Sequence, residues 1–259
     1  MSVVADWDGA SYGDISDLQR AMAAESLESV DLRGDERVLD IGCGDGFVTR
    51  RIADRLPRGS VIGVDPSPRM VDAALGRATQ NLSFELGDVT TLRFLDEFDL
   101  VVSFNALHWV HDQAAAYRRI AAALRPTGRA IVRFVCGGPR RSIEQVSMAV
   151  TQDPRWAAAF DGFEAPFVHV MPDEFEKIVT GAGLIVASKS VTDIHWDFGS
   201  RKAFQYWCTV GSSDWTARLP AADVDAFAAA VLDQYSEITG SETEFRFLQL
   251  RAELRPAPR

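Results

Sequence analysis

Apolar positions along the chain alternate between two rhythms. RVLDIG (37–42), VIGVD (61–65), LSFELGD (82–88), FDLVVSFNAL (98–107) and RAIVRFV (129–135) are nearly continuous apolar, β-branched runs, the signature of strands buried on both faces of a parallel sheet. Between them, 45–56, 67–78 and 113–124 read as helices, the last stopped by a turn at Pro126–Gly128. Strands alternating with helices predict an α/β fold, a Rossmann-like, mostly parallel sheet with helices on both faces. Upstream, 15–30 places Ile15, Leu18, Met22, Leu27 and Val30 near one helical face, with Asp14 or Ser16 as a cap. Downstream the pattern loosens. Helices are expected at 142–161, 172–184, 201–210 and 221–237, strands at 185–198 and 244–254, and a frayed end at 255–259. The simplest organisation is one domain, 1–259, with a binding core at 35–137 and helical lid elements at 139–182 and 200–240.

Composition narrows the classes. The chain has 259 residues, 47% hydrophobic and 25% charged, with a net charge of −10. That is ordinary globular composition, and the acidity with no Lys/Arg block points away from nucleic acid. Cys43, Cys136 and Cys208 form no CxxC pair, so neither a disulfide framework nor a metal site is expected. The N-terminal residues lack the basic-then-apolar pattern of a signal peptide, and no apolar run reaches the roughly 20 residues of a membrane span. A cytoplasmic protein, monomer or homodimer, without a membrane partner is expected.

The chemistry gathers at the carboxyl edge of the predicted sheet, where such folds bind ligands. Gly42, Gly44 and Gly46 follow the first strand. Glycine allows a tight turn and a close approach to the backbone. Asp65 ends the second strand, about 20 residues beyond the loop, where a carboxylate accepts ribose hydroxyls. A dinucleotide loop, GxGxxG, would put glycine at 47; Phe47 stands there, which argues against an NAD(P) oxidoreductase.

DIGCGDG (40–46), Gly87–Asp88, FNALHWV (104–110) and TGRAIVRF (127–134) together resemble, in order, the motifs of the class I S-adenosylmethionine (SAM) methyltransferases. The resemblance implies seven strands, the last antiparallel to the rest, with SAM as methyl donor and S-adenosylhomocysteine (SAH) as product. It also implies roles. Gly42, Gly44 and Gly46 would pass under the methionine end, and Asp40 would orient its amino group. Asp65 would take the ribose, and Met70 would cover the adenine. Asp88 and Val89 would hold the adenine edge. Asn105 and Ala106 would lie along the methionine or ribose.

The segment Trp7, Asp8, Tyr12, Ser16, Gln19, with LHWV, looks like the trans-aconitate, juvenile hormone acid and fatty acid carboxyl methyltransferases. There an N-terminal helix closes over SAM, and a Gln on it and the Trp of HWV face the substrate carboxylate. Gln19 and Trp109 match those positions, with Tyr12 beside the cofactor and His108 beside Trp109. The implied acceptor is a small carboxylic acid. A carboxylate, with a pKa of about 4, needs no general base; neutral donors such as Gln19 and the Trp109 indole align it without over-stabilising its charge. The alternative is a hydroxyl or carbon nucleophile with His108 as base. Phe204 and Trp207, three apart on one helical face, are candidates for the wall of an apolar acceptor pocket. His111, His169 and His195 carry no metal pattern.

Overall fold

The computed structural model describes residues 17–28 and 30–258, without the side chains of Asp17, Gln19, Arg20 and Ala23. Trp7, Asp8, Tyr12 and Ser16 lie outside the described residues. Seven strands form one sheet: β1 (Arg37–Ile41), β2 (Ser60–Asp65), β3 (Leu82–Leu86), β4 (Phe98–Phe104), β5 (Leu124–Val135), β6 (Leu184–Asp197) and β7 (Glu244–Pro256), in the order β3-β2-β1-β4-β5-β7-β6. β1 to β5 pair in parallel, and β7 inserts antiparallel between β5 and β6. The expected seven-stranded sheet is thus present. The order reverses between β1 and β4, and ligands of open α/β sheets bind in the crevice at such a point.

Nine helices occur among the described residues: α1 (Asp17–Glu28), α2 (Phe47–Ala53), α3 (Pro68–Leu75), α4 (Gln113–Ala123), α5 (Ile143–Val150), α6 (Pro172–Gly181), α7 (Arg201–Gly211), α8 (Ser213–Thr216) and α9 (Ala221–Thr239). Strand residues alternate between two cores. Val38, Leu100 and Val102 pack with Ile52 of α2 and Val71 and Ala74 of α3. Leu39, Ile41 and Val101 pack on the other face with Tyr117 and Ile120 of α4 and Phe175 and Val179 of α6. A third cluster, rich in aromatic rings, joins Leu18 of α1 to α5, α7, α9 and the start of β7. Tyr235 of α9 locks it to the sheet: its hydroxyl donates to the Arg246 carbonyl at 2.6 Å and accepts from the Arg246 amide at 3.0 Å.

Four expectations need correction. Pro126–Gly128 does not separate α4 from the fifth strand: β5 starts at Leu124, directly after α4, and these residues form an irregularity in its pairing between Leu124, opposite Phe98, and Arg129, opposite Leu100. The helix expected over 142–161 ends at Val150, and a separate 3-10 turn covers Ala157–Phe160; Pro154 intervenes, and the residue before a proline disfavours helical backbone. The frayed end is instead the paired end of β7, Pro256 lying opposite Leu184. Finally α6, grouped with the lid at 139–182, belongs to the sheet's main core through Phe175 and Val179.

Candidate active site

The glycine loop leaves β1 with three left-handed glycines, each for a different reason. Gly42 has φ +73°, and a Cβ there would fall 2.1 Å from the Ala106 Cβ. The loop after β4 therefore closes directly onto the loop after β1. Gly46, at φ +76°, begins α2 where a Cβ would meet the Phe84 ring at 2.6 Å. Gly44, at φ +55°, has nothing within 4 Å of where its Cβ would stand, so its outer face is open to a ligand.

Asp65 ties this loop to β2. Its Oδ2 accepts from the Gly44 amide and its Oδ1 from the Ser67 amide, both at 2.9 Å. Each carboxylate oxygen has two lone pairs, so capacity remains for two ribose hydroxyls. Burial pushes the Asp65 carboxyl above its ordinary pKa, and the two amides oppose that. Asp40, buried on β1, accepts from the Thr49 hydroxyl at 2.7 Å. Burial first, and the Asp65 charge second, push its pKa up to about 7, with the Thr49 bond opposing. An ammonium placed beside it would relieve both. An open face over Gly44, a ribose acceptor and a buried carboxylate with no cation paired to it among the described residues fit SAM.

The remaining adenine-side candidates are ordered locally. Met70 is buried in α3, its amide donating to the Ser67 hydroxyl at 3.4 Å. Asp88 caps a 3-10 turn by accepting from the Thr90 amide and hydroxyl at 2.8 and 2.7 Å. The Val89 side chain is in the main core, which leaves its backbone for any adenine contact.

Past β4, Asn105 takes φ +56°, rare for a residue with a side chain and found preferentially at functional sites. Its amide donates to the Arg133 carbonyl at 2.7 Å, and its Oδ1 accepts from Gln249 Nε2 at 3.2 Å. The 3-10 turn Leu107–Trp109 is held by the buried Gln113, whose Nε2 donates to the Leu107 and Val110 carbonyls at 2.6 Å each. His108 is buried with its ring centroid 5.0 Å from Trp109 and 6.2 Å from His169. Burial, then His169, bring its pKa down to about 3. His169 is also held below its ordinary value by burial, which Glu144 at 3.9 Å only partly offsets. Among the described residues, His108 Nδ1 and His169 Nε2 have no hydrogen-bond partner.

Trp109 packs half-buried against the aromatic cluster that contains Leu18 of α1. Gln19 follows Leu18 on α1, but its side chain is outside those described, as is Tyr12. Phe204 is fully buried, stacked on Phe198 with centroids 4.8 Å apart, a core position. Trp207 is half-buried at the same cluster, its indole Nε1 buried without a partner among the described residues. Thr49, Gln113, Gln249 and Arg133 are not among the sequence candidates, and His169 is weighed there only against a metal role. The available signal was a polar residue at an inward position of an otherwise apolar helix or strand, which Thr49, Arg133 and Gln249 each show.

A family profile described as a methyltransferase domain matches residues 38–128. The trans-aconitate 2-methyltransferase of Methylobacterium nodulans is 30% identical over 199 residues, 76% of each chain. The chain belongs to the class I SAM-dependent methyltransferases, and SAM is its cofactor. That sets aside the NAD(P) alternative. A second relative, the trans-aconitate 2-methyltransferase of Mycolicibacterium gilvum, is 28% identical over 228 residues, 87% of this chain and 88% of that one. Two solved structures share the fold. The YcgJ protein of Bacillus subtilis has a TM-score of 0.63 at 19% identity, covering 93% of this chain and 100% of its own. The Haemonchus contortus phosphoethanolamine N-methyltransferase 2 in complex with SAM has a TM-score of 0.60 at 17% identity, covering 91% and 52%. Among the described residues, no helix is long and apolar enough to cross a membrane, and no cluster of three or more His, Cys, Asp or Glu could hold a metal ion.

Proposed function

We propose that the chain O-methylates the carboxylate of a small organic acid, giving a methyl ester. One observation carries this reading. The imidazoles beside the Asn105–Trp109 segment are buried, His108 with a pKa of about 3 and His169 held low as well. Both are poor bases, and a phenol or alcohol acceptor needs a better one. A carboxylate arrives already ionised. The names of the relatives agree: trans-aconitate 2-methyltransferases, and a malonyl-[acyl-carrier protein] O-methyltransferase of Acetivibrio thermocellus, 28% identical over 121 residues.

When bound, SAM supplies an electrophilic methyl group on a sulfonium sulfur. Gly42, Gly44 and Gly46 give it a backbone floor, Asp40 takes its ammonium, and Asp65 its ribose hydroxyls. Met70, Asp88 and Val89 would flank the adenine, and Tyr12, outside the described residues, is assigned to the cofactor on the family resemblance. Asn105 and Ala106 close the methionine end against Gly42. Gln19, by the family resemblance, and the Trp109 indole N–H would hold one acceptor oxygen and leave the other free for methyl transfer, which is alignment rather than proton transfer. His108 packs behind Trp109 and fixes its ring. Trp207 walls the apolar side of the acceptor, and Phe204 supports it from the core. The helical layer of α5, α7 and α9 acts as the lid.

The test is methyl transfer from isotope-labelled SAM to fatty, isoprenoid and aconitate-like acids, phenols and amines. Label from an acid, released as methanol by mild alkali, supports the reading; alkali-stable label from a phenol alone refutes it. Trp109→Phe keeps an aromatic ring but loses the indole donor and part of the ring's bulk, so kcat is expected to fall about tenfold to a hundredfold through poorer alignment of the acceptor.

A further inference from the structure

Arg133 is among the largest fully buried side chains, 2% exposed, on β5 opposite Phe104 and Arg251. Its neighbours on the same face of the strand, Ile131 and Val135, are apolar core. Among the described residues its one ion-pair partner is Glu25 of α1, 3.1 Å from Nη2, and that carboxylate is 56% exposed. Nε and Nη1 have no partner among the described residues.

An ion pair with an exposed carboxylate is weak, whereas removing a guanidinium from water is costly. Arg251 across the ladder adds repulsion: burial and Arg251 hold the Arg133 pKa below its ordinary value, with Glu25 opposing. Arg133 is therefore badly served as a structural residue. Its position is informative. Its carbonyl holds the amide of the left-handed Asn105, and Asn105 Oδ1 is held by Gln249. It thus lies beside the segment that closes onto Gly42, under α1, in a chain of net charge −10 that otherwise repels anions. A planar guanidinium with five donors suits a carboxylate.

We propose that Arg133 is the carboxylate anchor of the active site, binding a reactant carboxylate that is not itself methylated. The source is either the methionyl carboxylate of the cofactor or the second carboxylate of a dicarboxylic acceptor. The acceptor source rests on the carboxyl reading above; the cofactor source does not.

The experiment compares wild type with Arg133→Met and Arg133→Lys. Replacing a poorly paired buried cation by an apolar side chain of similar length is commonly neutral or stabilising, so Arg133→Met is expected to match or exceed the wild-type Tm. Calorimetric titration uses SAH and its decarboxylated analogue, an S-adenosyl aminopropyl thioether. Steady-state kinetics uses mono- and dicarboxylic acids of equal chain length. If the cofactor carboxylate is the ligand, Arg133→Met weakens SAH at least tenfold and leaves the analogue unchanged. If the acceptor is, SAH binding holds and the preference for dicarboxylic over monocarboxylic acid falls at least tenfold, with Arg133→Lys restoring part of either effect. Equal weakening of SAH and its analogue with a lowered Tm overturns the proposal, and so does no change in any ligand. Should wild type esterify no acid, the carboxyl reading fails while the SAH titration still decides Arg133.

Discussion

Replacing Asp40 by Asn removes one charge from the site and should separate folding from cofactor binding. The Asp40 carboxyl is fully buried, and burial pushes its pKa up to about 7, well above the ordinary carboxylate range. Raising a carboxyl from its ordinary pKa of about 4 to about 7 corresponds to roughly 4 kcal/mol. Because the folded-state value lies above the unfolded one, the native state binds the extra proton. Below about pH 4 both states are protonated and nothing is lost. Stability contributed by this group falls as pH rises from about 4 to 7, and above 7 the whole cost stands. Asn keeps an oxygen for the Thr49 hydroxyl, now at 2.7 Å from Oδ2, and carries no charge. At about 2–4 °C per kcal/mol for a domain of this size, Asp40→Asn should raise the Tm of the ligand-free protein by several degrees at pH 8 and by little at pH 5. Binding should move the opposite way. An ammonium beside Asp40 favours the ionised form, so wild-type SAH affinity should tighten between pH 5.5 and 7.5, by up to about tenfold per unit on the steep part. The variant should bind more weakly with a shallower pH dependence. Some slope will persist, since Asp65 is also pushed up by burial. Differential scanning fluorimetry and titration calorimetry at pH 5, 6.5 and 8 decide it. An Asn variant that loses the same stability at pH 5 and 8 and keeps the wild-type pH dependence of SAH binding would refute the reasoning.

Gly42→Ala adds a Cβ 2.1 Å from Ala106 at φ +73°; it should cost about 2–4 kcal/mol in denaturant unfolding and weaken SAH at least tenfold. Since burial keeps His108 neutral down to about pH 3, kcat at saturating SAM should be flat between pH 6.5 and 8.5, whereas a sigmoid centred near 6.5 would mean a titrating, exposed imidazole. Tyr235→Phe removes both hydrogen bonds to the Arg246 backbone and should lower unfolding free energy by about 2–3 kcal/mol, read from the urea midpoint.

What the sequence discloses here follows from how local each constraint is. β1, β2 and β4 were legible because a strand buried on both faces has to be apolar throughout, the edge strand β3 by its alternation of buried and exposed positions, and the loop after β1 because the left-handed turn at Gly42, Gly44 and Gly46 excludes most side chains. Asp65 was legible by its place at a strand end. The failures share a cause. Pro126–Gly128 carries turn residues, yet Gly128 is needed because a Cβ there would stand 2.8 Å from the Phe98 carbonyl, a contact made by a distant strand. The end at Pro256 is paired with Leu184 beyond a bulge in β6 between Val186 and Ser188, a partner about 70 residues away in the chain. Arg133 and Gln249 meet Asn105 from strands that are adjacent in the sheet but more than a hundred residues apart in the chain. Phe204 and Trp207 share a helical face as expected, yet Phe204 is sealed by Phe198, Tyr235 and Phe245, partners that helical spacing cannot name. Cofactor recognition in this fold is written in turns and strand ends, and so in short words. Acceptor recognition depends on which side chains the β7 insertion and the helical layer bring over β4 and β5. The same cofactor loop can therefore serve different acceptors, and under the proposed carboxyl reading the choice among acids is to be sought at Arg133, Trp109 and Trp207 rather than in the glycines.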